Sequence, residues 1–124
     1  MTVTLTKKPA RLALPSCPAW CVRDHDGDLD WRAQHSGKWM DSSQAPGFSV
    51  SPFWVEIRGA VRQDPLFARM DRAGVTLADD GGLLDLPHGD ATAMARMLAY
   101  LGRGEEARLV RDAAAQVAGL GGAK

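Results

Sequence analysis

This chain has little of what usually announces a reaction. Among its 124 residues are only two cysteines, three histidines and one tyrosine, and fifteen acids balance fifteen bases to a formal net charge of zero. That balance argues against the strongly basic footprint of a dedicated nucleic-acid binder. No run approaches about twenty apolar residues, so a membrane-spanning helix is not expected. Residues 1–15 carry Lys7 and Lys8 but lack the continuous apolar stretch of a secretory signal. No HExxH, kinase-type or Gly-rich phosphate motif is present, and no Ser-His-Asp order. The length suits one domain, and 45% hydrophobic content allows a modest core. The default compartment is the cytoplasm, where thiols stay reduced and a close cysteine pair is more often a metal or redox site than a staple.

The scarce donors that are there lie together. Both cysteines and two of the histidines fall in the spacing Cys17-x3-Cys21-x3-His25-x9-His35. Two thiolates and two imidazoles match what zinc prefers, and such closed sets are usually structural. On one straight helix Cys17 and His25 would stand about 12 Å apart. Sharing an ion therefore requires the chain to turn between Cys21 and His25, as Asp24, Asp26 and Gly27 allow. The spacing is no standard finger signature. Two other readings stay open: a Cys17–Cys21 disulfide or redox pair, although three intervening residues depart from C-x-x-C, and an accidental grouping.

Calcium fits worse. Asp24, Asp26 and Asp28 fall at positions one, three and five of an EF-hand-like loop, but position six is Leu29 and position twelve is His35. The aspartates read as a solvated turn. Of four tryptophans, Trp20, Trp31 and Trp39 flank the cluster. They either wall the site or anchor a partner, a common role for exposed tryptophan. His88 reads as a capping or surface residue. Arg96, Arg103, Arg108 and Arg111 make a basic strip beside acids, the pattern of a solvated helix face.

The chain divides into an N-terminal strand or arm (1–15), a zinc-binding loop (16–36), a Gly/Ser/Pro-bearing linker (37–52), a sheet with C-terminal helices (53–118) and a flexible tail (119–124). Phe53, Val55, Ile57 and Val61 alternate with Trp54, Glu56 and Arg58, which predicts a strand. Further strands are expected over 66–70 and 73–78, then a turn at 79–82 into a strand over 83–86. Asp90 is the expected N-cap of a helix carrying Ala91, Met94, Ala95, Leu98 and Leu101 on one face. A second helix is expected over 105–118, with Ala107, Val110, Ala114 and Val117 as its apolar stripe and Glu105 and Glu106 near its positive end. The expected class is α+β: a small antiparallel sheet packed by one or two C-terminal helices, with an N-terminal Cys/His metal loop.

With Cys17-Pro18-Ala19-Trp20-Cys21 and His25, the chain resembles a family of small uncharacterised actinobacterial, streptomycete-type proteins with a CPxWC…H motif, a domain of unknown function. The likeness is close over residues 15–36 and a matter of pattern over 53–101, where Leu83–Leu86 lead into Ala91–Leu98. The chain departs from the family in Pro87-His88-Gly89, in the tryptophan-bearing linker and in a second helix after Gly104. The resemblance implies the Cys/His cluster and no established activity. The expected function is a non-enzymatic, zinc-stabilised binding module acting on a protein partner. The alternatives are a nucleic-acid-associated regulator and, last, a thiol-redox or metal-dependent enzyme.

Overall fold

The computed structural model describes residues 14–121. The expected arm over residues 1–15 lies almost wholly outside them, as does the end of the tail. Five antiparallel strands form one sheet: β1 (Arg32–Ser36), β2 (Met40–Asp41), β3 (Ser49–Ile57), β4 (Arg72–Asp79) and β5 (Gly82–Pro87). Their order is β1-β3-β4-β5, with β2 also paired to β3. Between β3 and β4 lies a short helix, α1 (Pro65–Ala68), and after β5 come α2 (His88–Tyr100) and α3 (Gly104–Gln116). The fold is α+β, and no helix among the described residues is long and apolar enough to cross a membrane.

Several local expectations fail for definable reasons. Residues 66–70 are not a strand. Pro65 stands at the first helical position and the Asp64 carboxylate accepts the Leu66 N–H at 2.9 Å, so capping chemistry starts a helical turn there. Val61 leaves the strand pattern for a 3-10 turn over Gly59–Gln63. The linker expected over 37–52 contains β2 and the first four residues of β3.

Pro52 is what makes that strand hard to read, because proline donates nothing to a ladder. It sits opposite Val75 of β4, and on its other side falls in the gap between the β1 and β2 pairings. Gly37 N–H still donates to Pro52 O at 2.9 Å. The Gly37 carbonyl, deprived of a backbone donor there, accepts from Ser51 Oγ at 2.8 Å instead. A side chain at Gly37 would put its Cβ 2.5 Å from Pro52 Cγ, so only glycine lets the chain pass so close to the ring.

Helices α2 and α3 cover one face of the sheet. Val50 and Val75 meet Ala91, Ala95, Leu98, Ala107, Val110 and Ala114 in a single buried cluster. Alanine holds most of the helix positions in this cluster, with Leu98 and Leu109 the larger exceptions. The expected stripe of α3 is buried throughout, whereas Leu101 of the expected α2 stripe is exposed. The latter follows from where α2 stops: Leu101 is the C-cap, Gly102 takes φ +81°, and Arg103 N–H closes back on Leu98 O at 2.8 Å, a Schellman ending. Helix α2 also starts two residues before the expected N-cap, with Asp90 in its first turn.

A smaller cluster joins Trp54, Ala73 and Val117 with Trp20 and Leu120. Trp20 Nε1 donates to Gln116 O at 2.9 Å, filling an orphan carbonyl at the end of α3. By this contact the loop that carries the cysteines is fastened to the helix layer.

Candidate metal centre

The loop is folded by local hydrogen bonds. Cys21 N–H donates to Pro18 O at 3.0 Å, closing a turn that brings the two cysteines to one side. Cys21 then forms an isolated antiparallel bridge with Gly37, and Val22 N–H donates to Ser36 O at 3.0 Å. Asp24 Oδ1 accepts from Asp26 N–H and His25 O from Asp28 N–H, both at 3.0 Å, so the chain reverses after His25 as required. The fourth donor is not on this loop: His35 lies on β1, opposite Trp54 of β3, where a loop position was expected.

The structure brings Cys17, Cys21, His25 and His35 together, one ligating atom from each lying within 4.8 Å of every other. His25 Nε2 is 3.7 Å from Cys17 Sγ and 3.5 Å from Cys21 Sγ. A tetrahedral ion with bonds of about 2.3 Å to sulfur and about 2.0 Å to nitrogen spaces such atoms by about 3.6 Å. Both cysteines are free thiols, and Cys21, His25 and His35 are buried. Burial pushes the Cys21 thiol up from its ordinary pKa, as does neighbouring Cys17, while backbone hydrogen bonds from Arg23 and Ser36 work the other way. Those N–H groups would be retained on a metal-bound thiolate.

Each imidazole is held by a carboxylate through the nitrogen that faces away from the sulfurs or has no other role. His25 Nδ1 donates to Asp28 Oδ2 at 2.6 Å, and that oxygen also accepts Gln34 N–H at 3.3 Å. His35 Nε2 donates to Glu56 Oε1 at 2.8 Å, and Ser16 Oγ donates to the same oxygen at 2.7 Å. These contacts set the tautomers, leaving His25 Nε2 and His35 Nδ1 with free lone pairs. Of these, His35 Nδ1 is buried with no hydrogen-bond partner, alone in this among the described side-chain atoms. An orphan of this kind costs about 1–3 kcal/mol unless something fills it. A cation shared with the two sulfurs would do so. The His35 ring is also stacked on Trp54 at 4.7 Å with 19° between planes, and meets the His25 ring edge-on at 4.7 Å.

Sequence reasoning missed Asp28, Glu56 and Trp54 as parts of this centre. By its spacing Asp28 reads as part of a solvated turn, yet it orients the His25 ring. Glu56 did carry a signal: an acid in an apolar alternating strand must find a buried partner. It is buried and has two.

The three flanking tryptophans have different surroundings. Trp20 is tied to α3, and half-buried Trp31 meets Phe67 of α1 edge-on at 5.4 Å. Trp39 is 47% exposed. Of the helix arginines, Arg103 pairs with Glu106 at 3.4 Å and Arg108 with Asp112 at 3.5 Å. His88 opens α2, where its carbonyl accepts from Thr92 Oγ1 at 3.1 Å. No family model, curated protein or solved structure matches this chain.

Proposed function

We propose that this protein is a non-enzymatic, zinc-stabilised binding module, a small regulatory or accessory protein acting through protein–protein contact. One observation carries the metal half: the bare, buried His35 Nδ1 beside two thiols and a second oriented imidazole. Two sulfurs and two nitrogens favour zinc over magnesium or calcium, which take oxygen ligands. Four protein donors make a closed, structural set, whereas a catalytic zinc keeps three and leaves a position for water. The ion joins the loop to β1, and through Trp20 the loop reaches α3.

The contact half rests on what the module leaves uncovered. A groove of about 510 Å³ between α2 and the β4–β5 hairpin is lined by Phe48, Leu77, Leu84, Met94 and Leu98. Leu83 and Leu84 in its lining are exposed large apolar side chains, and an apolar groove open to solvent marks a contact surface. Trp39, outside that groove, is the exposed one of the flanking tryptophans and a second contact point, since Trp20 and Trp31 are engaged within the fold.

Elemental analysis of the purified chain tests the first half, with one zinc per chain expected and loss of the cooperative melt on chelation. A metal-free sample, or a fold and partner binding indifferent to chelation, overturns it. For the second half, Trp39→Ala and Leu84→Glu are expected to abolish recovery of a partner that the unaltered chain retains. Undiminished recovery by both variants removes it.

A further inference from the structure

The opposite face of the sheet, away from α2 and α3, carries a second feature. Alternation places Arg32, Gln34 and Ser36 of β1 there, beside Val55 and Phe53 of β3 and Arg72 and Thr76 of β4, by the strand registers. Over them lies a cavity of about 390 Å³, within the usual range for small-ligand sites of about 300–1,000 Å³. Three arginines line it: Arg32, Arg72 and Arg23, the last delivered by the loop between Cys21 and His25. The carboxylate in the lining is Asp85, which already accepts from Thr76 Oγ1 at 2.7 Å.

Among the described residues neither Arg32 nor Arg72 forms an ion pair with a carboxylate. In a chain of zero net charge, such a grouping is a local positive field in a partly enclosed space. Arg72 is also held in place, its Cζ 6.0 Å from the centroid of Phe53. A second recess shares Arg32, Val55 and Arg72 and adds Arg69, which extends the positive row. Exposed Trp39 lines the same cavity as these arginines, whereas Phe53 lies buried at its floor beneath Arg72. Residues 1–13 contain Lys7, Lys8 and Arg11 and no acid, so they do not complement this charge.

We propose that this cavity binds a nucleotide, with the phosphate taken by Arg32 and Arg72 and the planar base laid against Trp39. Guanidinium forks suit phosphate oxygens, and bases stack on aromatic faces whatever their identity. Gln34 and Ser36 supply polar groups at the base edge. The assignment shares Trp39 with the protein-contact reading but needs no protein partner, and it is separated from that reading by Arg32 and Arg72, which the protein contact does not use. The nucleotide is either free or one unit of a single strand, and the two sources share this chemistry.

The metal-loaded full chain is titrated by calorimetry with adenosine monophosphate, adenosine, inorganic phosphate and a short single-stranded oligoadenylate. Saturable binding of the monophosphate, tighter than adenosine or phosphate alone, is expected. Arg32→Gln and Arg72→Gln should each weaken it by about tenfold or more, as loss of a charge-assisted bond does, while Arg108→Gln on α3 leaves it unchanged. Zinc content and melting temperature of every variant are read on the same samples, so a misfolded variant is recognised and a failure of the metal reading is seen separately. Oligonucleotide binding that is tighter than the monophosphate and falls steeply with salt assigns the site to a single strand. Comparable affinity assigns it to free nucleotide. Absence of saturable binding by both, binding no tighter than phosphate alone, or affinity retained in both arginine variants overturns the proposal.

Discussion

Replacing Glu56 with alanine removes the acceptor that holds His35 Nε2 at 2.8 Å while leaving all four metal donors in place. The Ser16 hydroxyl, which shares that oxygen, lies on an exposed residue and turns to water. His35 is fully buried and has no such recourse, so its Nε2 proton is stranded and the ring loses the contact that sets its tautomer. Removal of a carboxylate behind a metal-bound histidine costs about 10–100-fold in affinity. Because the replacement strands a buried donor, the upper part of that range applies, about 2.8 kcal/mol at about 1.4 kcal/mol per decade. Glu56→Gln keeps an acceptor and loses only the charge, so about tenfold is expected. Zinc affinity is read by competition with a chromophoric chelator, and stability by melts of metal-loaded and metal-stripped samples. The metal-free chain should lose stability to the stranded donor, and the loaded chain should lose more, by the free energy of the lost zinc affinity. If zinc affinity is unchanged while both forms lose stability equally, Glu56 serves packing alone and the orientation argument is refuted.

Three further outcomes follow from separate contacts. Gly37→Ala drives a Cβ into the Pro52 ring, 2.5 Å from Cγ and 2.8 Å from Cδ, and should cost about 1–3 kcal/mol in denaturant unfolding; a neutral result would mean β3 can shift at Pro52. Trp54→Phe keeps a ring over His35 but deletes the 3.0 Å bond from Nε1 to buried Asp71, and a loss of about 1–3 kcal/mol is expected by the same measurement. Glu105 accepts from the hydroxyls of Ser43 and Ser42 and from Gln44 N–H, and the two hydroxyls foremost hold its pKa below the usual carboxylate value. A carboxyl depressed in the folded state adds stability above its unfolded pKa and loses it as pH falls through the lowered folded value. The melting-temperature gap between the unaltered chain and Glu105→Gln should therefore be open at neutral pH and close below the ordinary carboxylate range. A gap independent of pH would contradict this.

The parts of the fold that were legible in the sequence are those with a local cause. The stripe Ala107, Val110, Ala114 and Val117 is buried as its spacing implies, and the Asp-Gly turn joins β4 to β5 where expected. The start of β3 was illegible because Pro52 argues against a strand, and only the gap between the β1 and β2 pairings removes the objection. Residues 66–70 looked extended because Leu66, Phe67 and Met70 are apolar, but the Asp64-Pro65 start outweighed them. The loop nature of 16–31 was readable from Pro18, its aspartates and its glycine; the membership of His35 in β1 was not, since Gln34 and Ser36 around it carry little strand signal.

By itself the sequence determined which donors the protein owns and that they lie close along the chain, together with the periodicities of the sheet and helices. These are properties of composition and near neighbours. Only the tertiary structure decided which nitrogen of each imidazole stays bare, because that choice belongs to Asp28 and to Glu56, and the latter reaches His35 through the register of β1 against β3. It likewise decided that Arg23, Arg32 and Arg72, scattered over fifty positions, line one cavity on the face the helices leave free. Strand pairing sets distances between residues remote in sequence, and no pattern within a single strand contains them.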